Sequence, residues 1–124
     1  MKVFSESNII NNLVDHPYDS NPDYLAKVNF YYVSQDKKFV AGYWEAPEGW
    51  FEAEIKGFYE INYVVEGEIE LITKDRSLTA KAGDCFLVEN GDRMKWKIKQ
   101  PIKTFFFIYP VTEDLMKELQ KMMI

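Results

Sequence analysis

The sequence predicts an all-β protein, folded as one antiparallel sandwich or barrel, and three observations support this class. Short stretches rich in β-branched and aromatic residues follow one another between residues 28 and 109. Turns separate these stretches and no helical stretch lies between them, which is the pattern of sandwiches and barrels. The chain has 124 residues, a length typical of one domain with its own core.

Each predicted strand is bounded by residues that favour turns. Polar turns are expected at 35–37, 46–49, 74–77 and 89–92, and Gly57 and Gly67 break the pattern between them. The expected strands, in chain order, are VNFYYVS, KFVAGYW, WFEAEI, FYEINYVV, EIELITK, SLTAKA, CFLV, RMKWKIK and IKTFFFIY.

The first 23 residues differ from the barrel segment at 24–111 and are predicted to form an N-terminal arm. Apolar residues from Ile9 to Val14 share one helical face, and Ser5 or Ser7 can act as N-cap of a short helix. Pro17 disfavours helix at the preceding residue, so we expect a polar connection from residue 15 onward.

Residues 112–124 are predicted to form a C-terminal helix. Thr112 is a suitable N-cap, and the acidic residues after it suit the positive end of the helix dipole. Its apolar stripe must cover another surface. The stripe consists of Leu115, Met116, Leu119, Met122 and Met123.

Composition excludes several classes of function. The net charge of −5 argues against a nucleic-acid partner, because phosphate binding needs clustered Lys and Arg. No apolar run reaches the length of a membrane span, and the N-terminus lacks the apolar region of a secretion signal. The single cysteine forms no internal disulfide, so we expect a cytoplasmic protein without a membrane partner.

Three stretches of the sequence, and their spacing, resemble a known family. The stretches are GYWEAPEGW at 42–50, EINYVVEG at 60–67 and AGDCF at 82–86, followed by Trp96. They resemble the cupin superfamily, in the subgroup related to the ethanolamine-utilisation cupin and to ureidoglycine aminohydrolase. The resemblance implies a cupin-type antiparallel β-barrel (a double-stranded β-helix, or jelly-roll), but this fold supports many unrelated activities.

Strand alternation predicts which side chains line the barrel cavity. Residues at even positions of 58–64 and 94–98 share the inward face, because successive side chains point to opposite sides of a strand. Glu60 and Asn62 are then polar groups on a face otherwise suited to burial. The residues expected to point into the cavity are Glu60, Asn62, Met94 and Trp96.

The resemblance also implies where a metal would be bound. The usual cupin ligands, which include three histidines, fall on Glu54, Lys56, Glu60 and Met94 here, and none of these is histidine. Ammonium and thioether groups are poor ligands for Zn²⁺ or Mn²⁺, so we expect no metal cofactor. The alternative is a divalent metal held by Glu54 and Glu60.

Two arrangements remain open around Glu60. If Lys56 points inward, its ammonium lies between Glu54 and Glu60, and Glu60 and Lys56 become candidate catalytic residues. If the 52–56 stretch is a solvated face near the rim, Glu60 only pairs with Asn62. The candidate ligand-binding residues are Glu54, Asn62, Met94, Trp96 and Trp44, although Trp44 and Trp96 also suit core packing.

These residues lead to three functional hypotheses. The first is a metal-free protein that binds a small-molecule metabolite, and the second is an enzyme (lyase, isomerase or aminohydrolase-like) with Glu60 as general acid or base. The third is a structural module without chemistry. We also expect a homodimer, because the helix stripe and the odd face of 59–65 are apolar, unless the arm and helix cover these faces within one chain.

Overall fold

A computed structural model describes residues 1–123 of the chain and confirms the predicted all-β class with a C-terminal helix. The chain forms one antiparallel eight-stranded sheet, with a short helix before the first strand and a second helix after the last strand. The elements are α1 (Glu6–Ile10), β1 (Val14–Pro17), β2 (Leu25–Val33), β3 (Val40–Ala46), β4 (Gly49–Glu54), β5 (Tyr59–Ile72), β6 (Ser77–Lys81), β7 (Cys85–Val88), β8 (Arg93–Tyr109) and α2 (Glu113–Gln120).

Strands β5 and β8 form the centre of the sheet. They pair with each other from Tyr59↔Tyr109 to Ile72↔Lys95. The first half of β8 also pairs with β4 and its second half with β3. Strand β5 also pairs with β7 near its start and with β6 near its end. Every other strand except β1 and β2 is therefore positioned by direct pairing to one of these two.

The sequence interpretation divided each of the two central strands into two, and that division is wrong. Both run through the expected break, and the register between them shifts around Gly67. Gly67 has a φ of +92°, and Pro101 of β8 lies directly against it. Even-numbered residues of β5 face inward before the shift, whereas Ile69 and Leu71 are buried after it. Because of this irregularity, β5 pairs with β7 before the shift and with β6 after it.

The N-terminal arm is also corrected in part. Ser5 caps α1 as expected, through a hydrogen bond that its hydroxyl accepts from the Asn8 N–H. However, residues 15–17 are not a polar connection and Val14 is not part of the helix, because residues 14–17 form β1 and pair with β2. Part of segment 1–23 is therefore a strand of the sheet.

Helix α2 begins where the sequence predicted. The Thr112 hydroxyl accepts a hydrogen bond from the Leu115 N–H and caps the helix, which ends at Gln120. The expected extension to residue 124 is not found over 121–123, and Ile124 lies outside the described residues. Among residues 1–123, no helix is long and apolar enough to cross a membrane.

Candidate functional site

A cavity of about 510 Å³ lies between the inner face of the sheet and α2. Its wall is mainly apolar, with polar groups from β1, β4, β5, α2 and the segments that follow β1 and β4. The predicted apolar stripe contributes Leu115 and Leu119 of α2 and Met122 beyond its end to this wall, so it covers the cavity of its own chain. The polar and charged residues of the lining are His16, Tyr18, Glu54, Lys56, Glu60, Asn62, Thr112, Asp114 and Glu118.

A directed chain of hydrogen bonds supports Glu60 on the inner face of β5. The Thr104 hydroxyl donates to Asn62 Oδ1 at 2.8 Å, and Asn62 Nδ2 donates to Glu60 Oε2 at 2.8 Å. Thr104 and Asn62 are fully buried, with exposed fractions of 0% and 1%. The network therefore holds one oxygen of the Glu60 carboxyl group as an acceptor and fixes its position in the wall.

Glu60 is half-buried, and it lines the cavity. Its surroundings are mostly apolar, and burial raises the pKa of its carboxyl group from the ordinary 4.5 to about 7. The hydrogen bond from Asn62 acts in the opposite direction, because it stabilises the charged form. Near neutral pH this group can therefore either donate or accept a proton.

Lys56 does not lie between Glu54 and Glu60, so the inward arrangement considered from the sequence is wrong. Its side chain is 76% exposed, and Nζ lies 3.7 Å from Glu54 Oε2. Arg93 Nη2 lies 3.0 Å from the other oxygen of Glu54. These three residues form an ion-pair group at the rim of the cavity, as the solvated alternative predicted.

A column of stacked rings forms one side of the cavity. The His16 and Tyr18 rings stack at a centroid distance of 4.2 Å, and Tyr18 stacks on Phe51 at 3.9 Å. Phe51 then stacks on Trp96 at 5.2 Å. Trp44 meets Phe51 and Trp96 edge-on, and its indole N–H donates to the Tyr18 hydroxyl at 2.9 Å. Because the rings stack on one another, the column presents mainly its ring edges to the cavity.

The remaining predicted ligand-binding residues lie in different places. Trp44, Trp96 and Asn62 are in the cavity wall, and Glu54 is at its rim. Met94 is buried in the core, but it is not part of the cavity lining. Within residues 1–123, the Trp96 indole N–H is buried without a hydrogen-bond acceptor, which costs roughly 1–3 kcal/mol.

His16 and Tyr18 are residues that the sequence interpretation missed. The signal in the sequence was an alternation with the period of a strand, with Val14, His16 and Tyr18 on one side and Asp15 and Pro17 on the other. In the structure the first three are half-buried and the other two are exposed. The proline and the nearby turn formers favoured a polar connection instead. Burial lowers the pKa of His16, so its ring is neutral at pH 7, and burial raises the pKa of Tyr18.

The donor groups do not fit the transition-metal site that the cupin resemblance implies. Of the four corresponding positions, Glu54 is paired with two cations, Lys56 is an ammonium at the rim and Met94 lies outside the cavity wall. No group of three or more His, Cys, Asp or Glu residues within 1–123 is placed to hold a metal. Glu60 alone remains as a donor, and one carboxylate makes a weak site.

Solved structures with the same fold come from several proteins. The chain is similar to an EutQ protein of Clostridium difficile, with 20% identity, a TM-score of 0.66 and coverage of 76% of this chain and 69% of that one. It is similar to a putative ethanolamine utilization protein Q of Salmonella typhimurium, with 19% identity, a TM-score of 0.68 and coverage of 79% and 80%. A predicted oxalate decarboxylase of Thermotoga maritima matches with 16% identity, a TM-score of 0.72 and coverage of 88% and 99%.

These identities are too low to transfer an activity, and they establish the cupin fold alone. A search of curated proteins finds no match. The family model for the EutQ-like cupin domain matches residues 33–106, which include strands β3 to β7 and most of β8. The chain therefore belongs to the EutQ-like cupin family.

Proposed function

We propose that this chain binds a small-molecule metabolite in its barrel cavity without a transition metal. The supporting observation is the cavity of about 510 Å³, which combines a column of stacked rings with the Glu60 carboxyl group. Ligand sites are typically concave and mostly apolar, with a few well-placed polar groups that set orientation. Glu60 is such a group, because the hydrogen bonds from Thr104 to Asn62 and from Asn62 to Glu60 fix its position before a ligand binds.

A cavity-filling substitution tests this proposal. Ala53 of β4 is in the cavity wall, so a phenylalanine there places a ring in the space that a ligand would occupy. Ala82→Phe adds the same ring at an exposed position and is the matched control. We expect small molecules retained by the wild-type protein and by Ala82→Phe, detected by native mass spectrometry, to be lost from Ala53→Phe. Equal retention by all three proteins, or none by the wild type, would contradict the proposal.

Elemental analysis of the same preparations tests the metal-free part of the proposal. We expect no stoichiometric transition metal, because the donor set around Glu60 is incomplete. About one metal ion per chain, lost on Glu60→Gln, would contradict it and would favour the Glu54 and Glu60 alternative.

A second candidate function is general acid–base catalysis by Glu60. The specific observation in its favour is the pKa of about 7, which suits proton transfer at neutral pH. Lys56 contributes less to this hypothesis than the sequence suggested, since it lies exposed at the rim. If a retained molecule is converted to product, Glu60→Gln should lower the rate by roughly 10²–10⁴. An unchanged rate would exclude Glu60 as the acid or base.

We place this binding activity in the cytoplasm, with neither nucleic acid nor membrane as partner. The acidic composition, with a net charge of −5, and the single cysteine support this setting.

A further inference from the structure

The charges around the cavity are unbalanced. Both cations at the rim, Lys56 and Arg93, lie against Glu54 at 3.7 and 3.0 Å. Glu60 and the two acidic residues of α2, Asp114 and Glu118, line the same cavity. Within residues 1–123, no cationic side chain lies within 4.0 Å of any of these three carboxyl groups. The rim group has two cations for one carboxylate, so with Glu60 ionised the four carboxylates and two cations of the cavity and its rim give a net charge of −2. Glu60 itself has no partner charge.

Within residues 1–123, no cationic side chain pairs with Glu60 itself. His16 in the ring column does not supply this charge at pH 7, because burial lowers the pKa of its imidazole. The Thr104–Asn62 chain donates to only one oxygen of Glu60, and the second oxygen accepts no hydrogen bond from residues 1–123. This oxygen is free to accept a hydrogen bond from a ligand, and a partly buried carboxylate gains from pairing with such a donor.

The rest of the wall suits the apolar part of such a ligand. Tyr18 and Phe51 stack on each other and on the rings beside them, so the column presents mainly ring edges to the cavity. An anionic ligand would meet three acidic groups instead, which repel it.

We propose that the cavity binds a small organic cation, an amine or quaternary ammonium whose positive end lies at Glu60. This inference rests on the proposed binding function and names the class of ligand. The apolar part of the ligand lies against the ring column, and its ammonium group donates to or pairs with the free oxygen of Glu60. Asp114 and Glu118, which are exposed on α2, add a longer-range attraction that salt screens.

Three probes of one ring size and different charge test this proposal at pH 8 by calorimetry. Benzylamine is a cation at this pH, benzyl alcohol is neutral and benzoate is an anion. We expect benzylamine to bind at least about tenfold more tightly than benzyl alcohol, and benzoate to bind most weakly. Glu60→Gln should remove the preference for benzylamine while binding of benzyl alcohol persists. Glu52→Gln makes the same chemical change on the exposed side of β4 and should behave like the wild type.

The outcomes separate this inference from the proposed function. If benzyl alcohol or benzoate binds as tightly as benzylamine, the cation proposal is wrong but small-molecule binding stands. If Glu60→Gln binds benzylamine as the wild type does, the role given to Glu60 is wrong. If no probe binds at about 10 mM, where even millimolar affinity is detectable, the cation proposal fails. The proposed function is decided separately, by whether the wild type retains molecules that Ala53→Phe loses.

A separate observation concerns the outer face of the sheet opposite the cavity. Neighbouring residues of β7, β5 and β8 place Leu87, Ile61 and Phe107 side by side, with Tyr59 beside Tyr109. Neither the arm nor α2 covers this outer apolar face. The helix stripe lines the cavity of its own chain, so of the two predicted surfaces only the outer apolar face is left exposed for a dimer. Its members, which are 39–56% exposed, are Tyr59, Ile61, Tyr63, Val65, Leu87, Phe107 and Tyr109.

The size and charge of the outer apolar face fit a second copy of the chain. Large side chains of roughly 150–250 Å² each, about half exposed, give seven residues roughly 500–900 Å² together. A standard interface buries about 800 Å² on each partner. None of the seven residues is charged, so a two-fold axis through the face brings no like charges together. We infer that this chain forms a homodimer through the outer apolar face.

Two leucines of nearly equal exposure allow a matched test. Leu87 is 50% exposed within the face, and Leu78 is 53% exposed on β6, outside it. Light scattering of the wild type and of Leu78→Lys at about 100 μM should give twice the chain mass of 14.6 kDa. Leu87→Lys should weaken the dimer by at least about 100-fold, because it buries an unpaired charge. A monomeric wild type, or equal behaviour of both variants, would overturn the inference.

Discussion

Replacing Glu60 by glutamine is expected to raise the free energy of unfolding by about 2–3 kcal/mol at pH 8.5 and by only about 1 kcal/mol at pH 5.5. The folded protein holds the Glu60 proton with a pKa of about 7, whereas the ordinary value is 4.5. The folded state therefore binds more protons than the unfolded state between these values. Stability falls as the pH rises through this window, and glutamine, which does not ionise, removes the loss.

The substitution retains the local hydrogen bond, because a glutamine oxygen can accept from Asn62 Nδ2 as the carboxylate does. Urea denaturation of the wild type, Glu60→Gln and Glu52→Gln at both pH values measures the effect. A pH of 5.5 stays above the isoelectric point of about 4.9, where the protein carries least charge. Glu52→Gln should change stability by less than about 1 kcal/mol at either pH. A loss of stability at pH 8.5 in Glu60→Gln would contradict the prediction, because it would mean that interactions in the folded state stabilise the ionised carboxylate.

Gly67→Ala is expected to destabilise the fold by roughly 3–5 kcal/mol, from two causes that add. The φ of +92° is strained for any residue with a Cβ. A Cβ at this position would also overlap the Pro101 carbonyl oxygen and lie 2.7 Å from the Cα of Ile102. Both obstructing groups are backbone, so the central β5–β8 pair would have to separate locally.

Gly83→Ala is the matched control, because it isolates the first cause. Its φ is +93°, but a Cβ there meets no atom within 4 Å. We expect a loss of only about 1 kcal/mol for Gly83→Ala in the same urea denaturation experiment. Similar losses in the two variants would mean that the contact with Pro101 is relieved at little cost. In that case the register shift at Gly67 would not require glycine, the residue without a Cβ.

Short-range patterns in the sequence were sufficient for the fold class and for the orientation of β5. Alternation places Glu60 and Asn62 on the inner face and Tyr59, Ile61 and Tyr63 on the outer one, because each residue of a strand reverses the direction of its side chain. The capping roles of Ser5 and Thr112 were predictable for the same reason, since a cap bonds to an N–H only three residues away.

Pairings between distant residues decided the rest of the site. Whether 14–17 becomes a strand depends on the free edge of β2, which brings His16 and Tyr18 to the cavity despite the proline. Arg93 of β8 draws Glu54 to the rim, and Lys56 joins it there and not at Glu60. The position of α2 over the cavity likewise depends on apolar partners far away in the chain. Such contacts are selected by the free energy of the whole packed structure, which a local pattern does not contain.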